Sequence, residues 1–212
     1  MKRVLIVEDH SIVSQGVIRL LLDILDQPLK FEEASDGQQA IKMVNSCDYD
    51  LVLLDISLPD QNGLSLLKLM LQLNPKLPVI ILSTHPEEHY AVRSLRAGAA
   101  GYVNKGSAAS VLKDAVEKAL VGKRYVSSTQ AELLVEAISD KSENKPLHET
   151  LSDREYQLAC MMTEGKTLTE IAMNLSLSVK TVSTYRSRIL EKLHLRTNAE
   201  IIHYCIQNGI AT

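Results

Sequence analysis

The chain has 212 residues, 45% of them apolar, with 23 Lys and Arg against 26 Asp and Glu for a net charge of −3. That length allows one large or two modest domains with buried cores, and no apolar stretch approaches the ~20 residues of a membrane span, because Arg19, Asp23 and Asp26 interrupt the longest early candidate. Met1-Lys2-Arg3 leads too soon into charge for a secretory signal, so the expected location is the cytoplasm, and Cys47, Cys160 and Cys205, odd in number and without metal-ligand spacing, read as reduced thiols.

Strand-like and helix-like segments alternate along residues 1–121. Val4 to Val7 precedes an amphipathic stretch from Ser11 to Leu25, and Lys30 to Ala34 precedes Gly37 to Cys47, with Ser35-Asp36-Gly37 as helix-start chemistry. Leu51 to Asp55 leads to Leu64 to Leu73, Pro78 to Ser83 to Glu87 to Ala97, and Gly101 to Asn104 to Ala108 to Val121. Five such units with right-handed crossovers predict an α/β domain: a five-stranded, doubly wound parallel sheet. Apolar runs such as Val4-Leu5-Ile6-Val7 and Leu51 to Leu54 suit strands covered on both faces.

In sheets of this kind ligands bind beyond the carboxyl ends of the strands. Those ends carry Glu8-Asp9, Asp55, Ser83-Thr84 and Lys105. Three carboxylates at one edge repel one another unless a cation lies between them, and a hard divalent ion with oxygen ligands suits that role. Singly the signals are weak: an Asp after a strand is usually a helix cap, a lone Lys a solvated charge, Ser83 a turn hydroxyl and Tyr102 a surface ring on its strand.

In order, placement and spacing together, these groups resemble the receiver domain of a two-component response regulator, with Leu58-Pro59 and Gly63 following Asp55 as well. The resemblance implies a flavodoxin-like fold over residues 1–121 and a phosphoryl group carried on Asp55, donated by a sensor histidine kinase. It implies Mg²⁺ bound by Asp55, by Asp9 directly, by Glu8 through water and by the Ser57 carbonyl. Lys105 would pair with one phosphoryl oxygen, and the Ser83 hydroxyl would shift to donate to another while Tyr102 turns inward behind it. Two departures stand out: Gly106 replaces a proline common in receivers, and Glu8 replaces an Asp, lengthening one arm of the pocket.

Residues 122–150 read as a connection. Ser127-Ser128 can cap a short helix through Ile138, and Ser139 to Thr150 is polar, suiting a flexible tether. From Leu151 the pattern is wholly helical, predicting a separate all-α domain over residues 151–212. Ser152 with Glu155 forms a capping box for a helix ending near Gly165, a second helix runs from Leu168 to Leu175, and Ser178 caps a third from Val179 to Leu193. The short turn between the last two makes a helix-turn-helix.

On the third helix Val182, Ile189 and Leu193 share an inward face, leaving Lys180, Ser183, Thr184, Ser187 and Arg188 outward. Ser178 to Arg196 holds five basic residues and one acid, a local excess suited to nucleic acid. The wording Leu151-Ser152-Asp153-Arg154-Glu155, Gly165-Lys166, Glu170-Ile171-Ala172 and Ser178-Val179-Lys180-Thr181-Val182 resembles the LuxR-type DNA-binding domain. The two halves together resemble a transcriptional response regulator of the NarL/FixJ class. That resemblance implies double-stranded DNA as partner, with Ser183, Thr184 and Ser187 facing base edges and Lys180, Tyr185, Arg188 and Lys192 holding phosphates. It also implies an active homodimer formed through the helix from Asn198 to Asn208, with Ile201, Ile202 and Cys205 at the contact.

A phosphatase of the haloacid dehalogenase type would need a second Asp two residues after Asp55, where this chain has Ser57, so no enzyme is expected. A pseudo-receiver that regulates without phosphate is the alternative, opposed by the presence of Asp9, Asp55, Ser83 and Lys105 together.

Overall fold

The computed structural model describes residues 1–139 and 146–210, and the chain divides into two compact units, residues 1–133 and 134–212. The first unit holds β1 (Lys2–Val7), α1 (Ser11–Ile24), β2 (Leu29–Ala34), α2 (Gly37–Ser46), β3 (Leu51–Asp55), α3 (Gly63–Leu73), β4 (Val79–Ser83), α4 (Glu87–Arg96), β5 (Gly101–Asn104) and α5 (Ala109–Leu120). A further helix, α6 (Ser128–Ser139), begins in this unit and continues past its boundary.

The five strands are all parallel in the order β2-β1-β3-β4-β5. Every residue of β3 and β4 is buried, which is why these strands are continuous apolar runs rather than alternating ones. Register aligns Val7 with Leu54, Asp55 with Leu82 and Ser83 with Asn104, so the strands end nearly level and deliver the residues that follow them to one edge. On one face Ile6, Leu53, Ile80 and Val103 pack under Leu21 of α1 and Leu112 and Val116 of α5.

Local chemistry sets the helix starts on that edge. Asp36 caps α2 by accepting the Gln39 N–H at 2.7 Å, and Asn62 caps α3 by accepting that of Leu64 at 2.9 Å. Gly63 then passes so close to the end of β3 that an added Cβ would lie 2.4 Å from the Asp55 carbonyl oxygen and 2.6 Å from the Ile56 Cα. Only a residue without a side chain lets α3 start there.

The second unit contains a 3₁₀ turn (Leu147–Thr150), α7 (Asp153–Thr163), α8 (Leu168–Asn174), α9 (Val179–Lys192) and α10 (Asn198–Gln207). Helix α7 packs on α8, α9 and α10. The capping box of Ser152 and Glu155 is present, and Thr167 with Glu170 forms a second on α8. Ser176 takes a left-handed conformation, φ 50°, in the turn between α8 and α9. Ile201 and Cys205 are fully buried, together with Val182 and Ile189.

Two expectations are corrected. The 3₁₀ turn stands where a polar tether was expected to continue to Thr150; residues 140–145 of that tether lie outside the described residues. Ile201 and Cys205 do not present a dimer surface: four residues apart, they share the inward stripe of α10 and fill the core. The outward apolar residue of this helix is Ile206, with Ile202 half-buried. Among the described residues no helix is long and apolar enough to cross a membrane.

Candidate functional site

The edge at the strand ends gathers the residues the sequence singled out. Asp55 closes β3 and is 5% exposed, while Glu8 and Asp9 follow β1. Lys105 follows β5, and its backbone N–H donates to the Ser83 carbonyl at 2.7 Å, tying the loop to β4. The Lys105 ammonium lies 2.5 Å from Glu8 Oε2 and 3.1 Å from Asp55 Oδ2. One cation therefore bridges two buried carboxylates. Burial disfavours the charged ammonium, but the Asp55 and Glu8 carboxylates outweigh that and raise its pKa above the ordinary lysine value.

Glu8, Asp9 and His10 can each offer a ligand atom within 4.8 Å of the others. The His10 ring reaches Asp9 at 3.0 Å and Glu8 at 3.3 Å, and the charge of Asp9 together with the Glu8 bond raises its pKa. Adjacency to the acidic pair was the available signal for His10. Ser57 is half-buried, with its hydroxyl 3.4 Å from His85 Nε2. Oxygen donors from Glu8, Asp9 and Asp55 fit a hard divalent cation better than a soft one.

Ser83 is fully buried at the end of β4, and its hydroxyl accepts the His85 N–H at 3.0 Å. The His85 carbonyl in turn accepts from the Tyr102 hydroxyl and from Asn104 Nδ2, both at 2.8 Å. Tyr102 is fully buried, so it is not the surface ring that its strand position alone suggests; burial above all pushes its phenol pKa up. No side-chain signal marks His85 as the common partner, because its role rests on backbone atoms.

A second surface lies on α9. Lys180, Ser183, Thr184, Ser187 and Arg188 are exposed, Tyr185 is half-buried, and the Arg188 guanidinium lies 6.0 Å from the Tyr185 ring centroid. Lys180, Thr181, Thr184, Tyr185 and Arg188 line a shallow concavity of about 310 Å³. The hydroxyls of Thr184 and Ser187 are turned onto the carbonyls of Lys180 and Ser183, so a base edge would have to compete for their protons. Lys192 departs from the expected phosphate contact. Its ammonium is 2.7 Å from the Glu155 carboxylate and 3.1 Å from the Thr150 carbonyl, which commits it to the α7 cap and the 3₁₀ turn.

Residues 4–117 match the family model described as the response regulator receiver domain, and residues 149–205 match that of bacterial regulatory proteins, luxR family. The chain is 33% identical over 210 residues to response regulator UvrY of Escherichia coli (strain K12), covering 99% of this chain and 96% of that one. It is 34% identical over 211 residues to response regulator GacA of Pseudomonas syringae pv. syringae (strain B728a), covering 99% and 98%. Among solved structures, RcsB from Salmonella enterica serovar Typhimurium, bound to promoter rprA in the presence of the phosphomimetic BeF₃⁻, is similar with a TM-score of 0.63 and 26% identity, over 96% of this chain and 97% of that one.

Proposed function

Because this chain belongs to the response regulators that join a receiver domain to a LuxR-type DNA-binding domain, and so regulates transcription, we propose that Asp55 is its phosphoryl acceptor and that the modification controls DNA binding. In this reading residues 1–121 form the receiver, 122–150 the connection and 151–212 the DNA-binding half. The observation that carries it is the Lys105 ammonium held between Glu8 and the 5%-exposed Asp55. Phosphoryl transfer leaves the protein little covalent work beyond positioning and charge neutralisation. An Asp55 oxygen attacks phosphorus, and the bond from phosphorus to the donor breaks, releasing a sensor kinase's histidine or the carboxylate of a small acyl phosphate.

The carboxylates of Glu8, Asp9 and Asp55 with the Ser57 carbonyl would hold Mg²⁺, which when bound supplies charge neutralisation at the phosphoryl oxygens. Lys105 supplies a second positive charge, and Ser83 a hydroxyl donor. Ser83 and Tyr102 form the switch, since both end on the loop of His85. In the other half α9 enters the major groove, with Ser183, Thr184 and Ser187 towards base edges and Lys180, Tyr185 and Arg188 on phosphates. The active species is a homodimer in the cytoplasm.

Acetyl phosphate with Mg²⁺ should add a single phosphoryl mass to the intact chain, and Asp55→Asn should abolish it. Uptake by that variant under the same conditions would remove Asp55 from its role; no uptake by the wild type would favour the pseudo-receiver.

A further inference from the structure

We propose that α6, the helix that follows the receiver, is a working part of its switch, and that Gln130 and Ser127 are positioning residues tying it to Tyr102 and Glu87. The inference rests on the phosphoryl reading of Asp55. Its starting point is a capping box whose polar groups each serve twice. Ser127, just before α6, accepts the Gln130 N–H at 3.1 Å, and the Gln130 side-chain oxygen accepts the Ser127 N–H at 3.3 Å. That much any helix start can do. Here the remaining donors leave the helix: Gln130 Nε2 donates to the Tyr102 carbonyl at 2.9 Å, and the Ser127 hydroxyl donates to Glu87 Oε2 at 2.9 Å. Gln130 is fully buried, so its amide has exchanged water for these partners. Just upstream, the Tyr125 N–H donates to the Ala100 carbonyl at 2.7 Å, laying the chain beside β5, the edge strand.

Both outside partners belong to the region that must respond to Asp55. The Ser83 hydroxyl holds the His85 N–H. Drawing that hydroxyl to a phosphoryl oxygen must either carry His85 with it or free the His85 N–H. Either way it disturbs the carbonyl on which the Tyr102 hydroxyl and Asn104 amide end. Tyr102 carries the carbonyl that Gln130 holds, and Glu87, two residues beyond His85, opens α4 and holds Ser127. Helix α6 is thus hydrogen-bonded to β5 and to α4, on either side of the Ser83 loop, and its C-terminal half leads towards the DNA-binding half of the chain. A plain edge cover for β5 would also bury Gln130, but it would be indifferent to the state of Asp55. Coupling is reciprocal: if a phosphoryl group at Asp55 loosens these contacts of α6, then breaking the same contacts must strengthen binding at Asp55 by the same factor.

The test uses the full chain, beryllofluoride with Mg²⁺ as phosphoryl mimic, and hydrogen exchange of peptides covering residues 128–139. Losing one net hydrogen bond, worth about 1 kcal/mol, corresponds to roughly a fivefold change. Beryllofluoride should therefore speed exchange in the first turns of α6 about fivefold or more. Gln130→Met should show comparable speeding without the mimic, a smaller further increment with it, and beryllofluoride affinity raised by a similar factor. Ser127→Ala should act in the same direction, and Ser127→Thr, which keeps the hydroxyl, should restore wild-type behaviour. Exchange in α6 that ignores the mimic, or variants that loosen α6 without changing mimic affinity, would overturn the inference alone. Failure of the chain to take up either beryllofluoride or phosphoryl would overturn the reading of Asp55 and this inference with it.

Discussion

Lys105 places one positive charge between two carboxylates, and that residue shows how much the site depends on compensation. Lys105→Met should leave Glu8 and Asp55 facing each other unscreened, at a cost of about 3–5 kcal/mol, since removing one member of a buried ionic group strands the other. Millimolar Mg²⁺ should restore more stability to the variant than to the wild type in thermal melts, because the cation takes over the missing charge. Equal Mg²⁺ stabilisation of the two proteins would count against a shared site. Gly63 is the second sensitive residue. Gly63→Ala must push α3 off the backbone of Asp55 and Ile56, so it should both lower the melting midpoint and slow phosphoryl uptake from acetyl phosphate. A variant that melts lower but takes up phosphoryl at the wild-type rate would show that the shift spares Asp55.

Among the elements, α9 is braced by the pair of Lys192 and Glu155. Burial favours the neutral form of Glu155, but the bonds from Lys192 and Ser152 outweigh it and hold its carboxyl below the ordinary carboxylate range. A folded pKa depressed below the unfolded one contributes stability at neutral pH that is lost as pH falls through the folded value. Glu155→Gln should therefore lower stability at pH 7 and flatten its acid dependence. For DNA binding, Lys180→Ala should reduce the salt slope by about 0.9, whereas Lys192→Ala should leave the slope unchanged and lower thermal stability instead. A reduced slope for Lys192→Ala would return it to the phosphate contacts. On α10, burial pushes the Cys205 thiol up to about 11. In the native chain Cys47, which is half-buried, should label with a thiol reagent well before Cys160 and Cys205. Early loss of Cys205 would mean that α10 is not seated as described.

These elements also show what could be read from sequence. Strand ends and caps were legible because their signals are local: Asp55 closes an apolar run, and Ser152 and Glu155 stand three apart. The inward stripe of α10 was equally available in the spacing of Ile201 and Cys205, but its apolar width drew it towards a partner surface. Lys192 with Glu155, Gln130 with Tyr102 and Ser127 with Glu87 were not legible, since their partners lie 37, 28 and 40 residues away. Each residue has an ordinary local role that hides the distant one.

For the whole molecule, the question is how a phosphoryl group in one half alters binding in the other. A two-state shift from 1:99 to 99:1 needs about 5.5 kcal/mol, so a graded rise in DNA affinity is expected rather than an all-or-none change. If the unphosphorylated receiver restrains the DNA-binding half, residues 151–212 alone should bind DNA without phosphate and at least as tightly as the unmodified whole chain. Weaker binding by the fragment, with phosphorylation acting only by pairing receivers, would assign the signal to dimerisation.

The seat of α6 on β5 also decides where this receiver can be cut and joined to something else. A chimaera spliced after residue 121 keeps every strand and every side chain of the proposed phosphoryl site, yet discards the hydrogen bonds that Tyr102 and Glu87 make to Gln130 and Ser127. One spliced after residue 133 carries that contact intact into the new protein. Placed before the same foreign output module, the longer piece should transmit phosphorylation and the shorter one should take up phosphoryl without passing it on; the transferable sensor is therefore about a dozen residues longer than the sheet and its five helices.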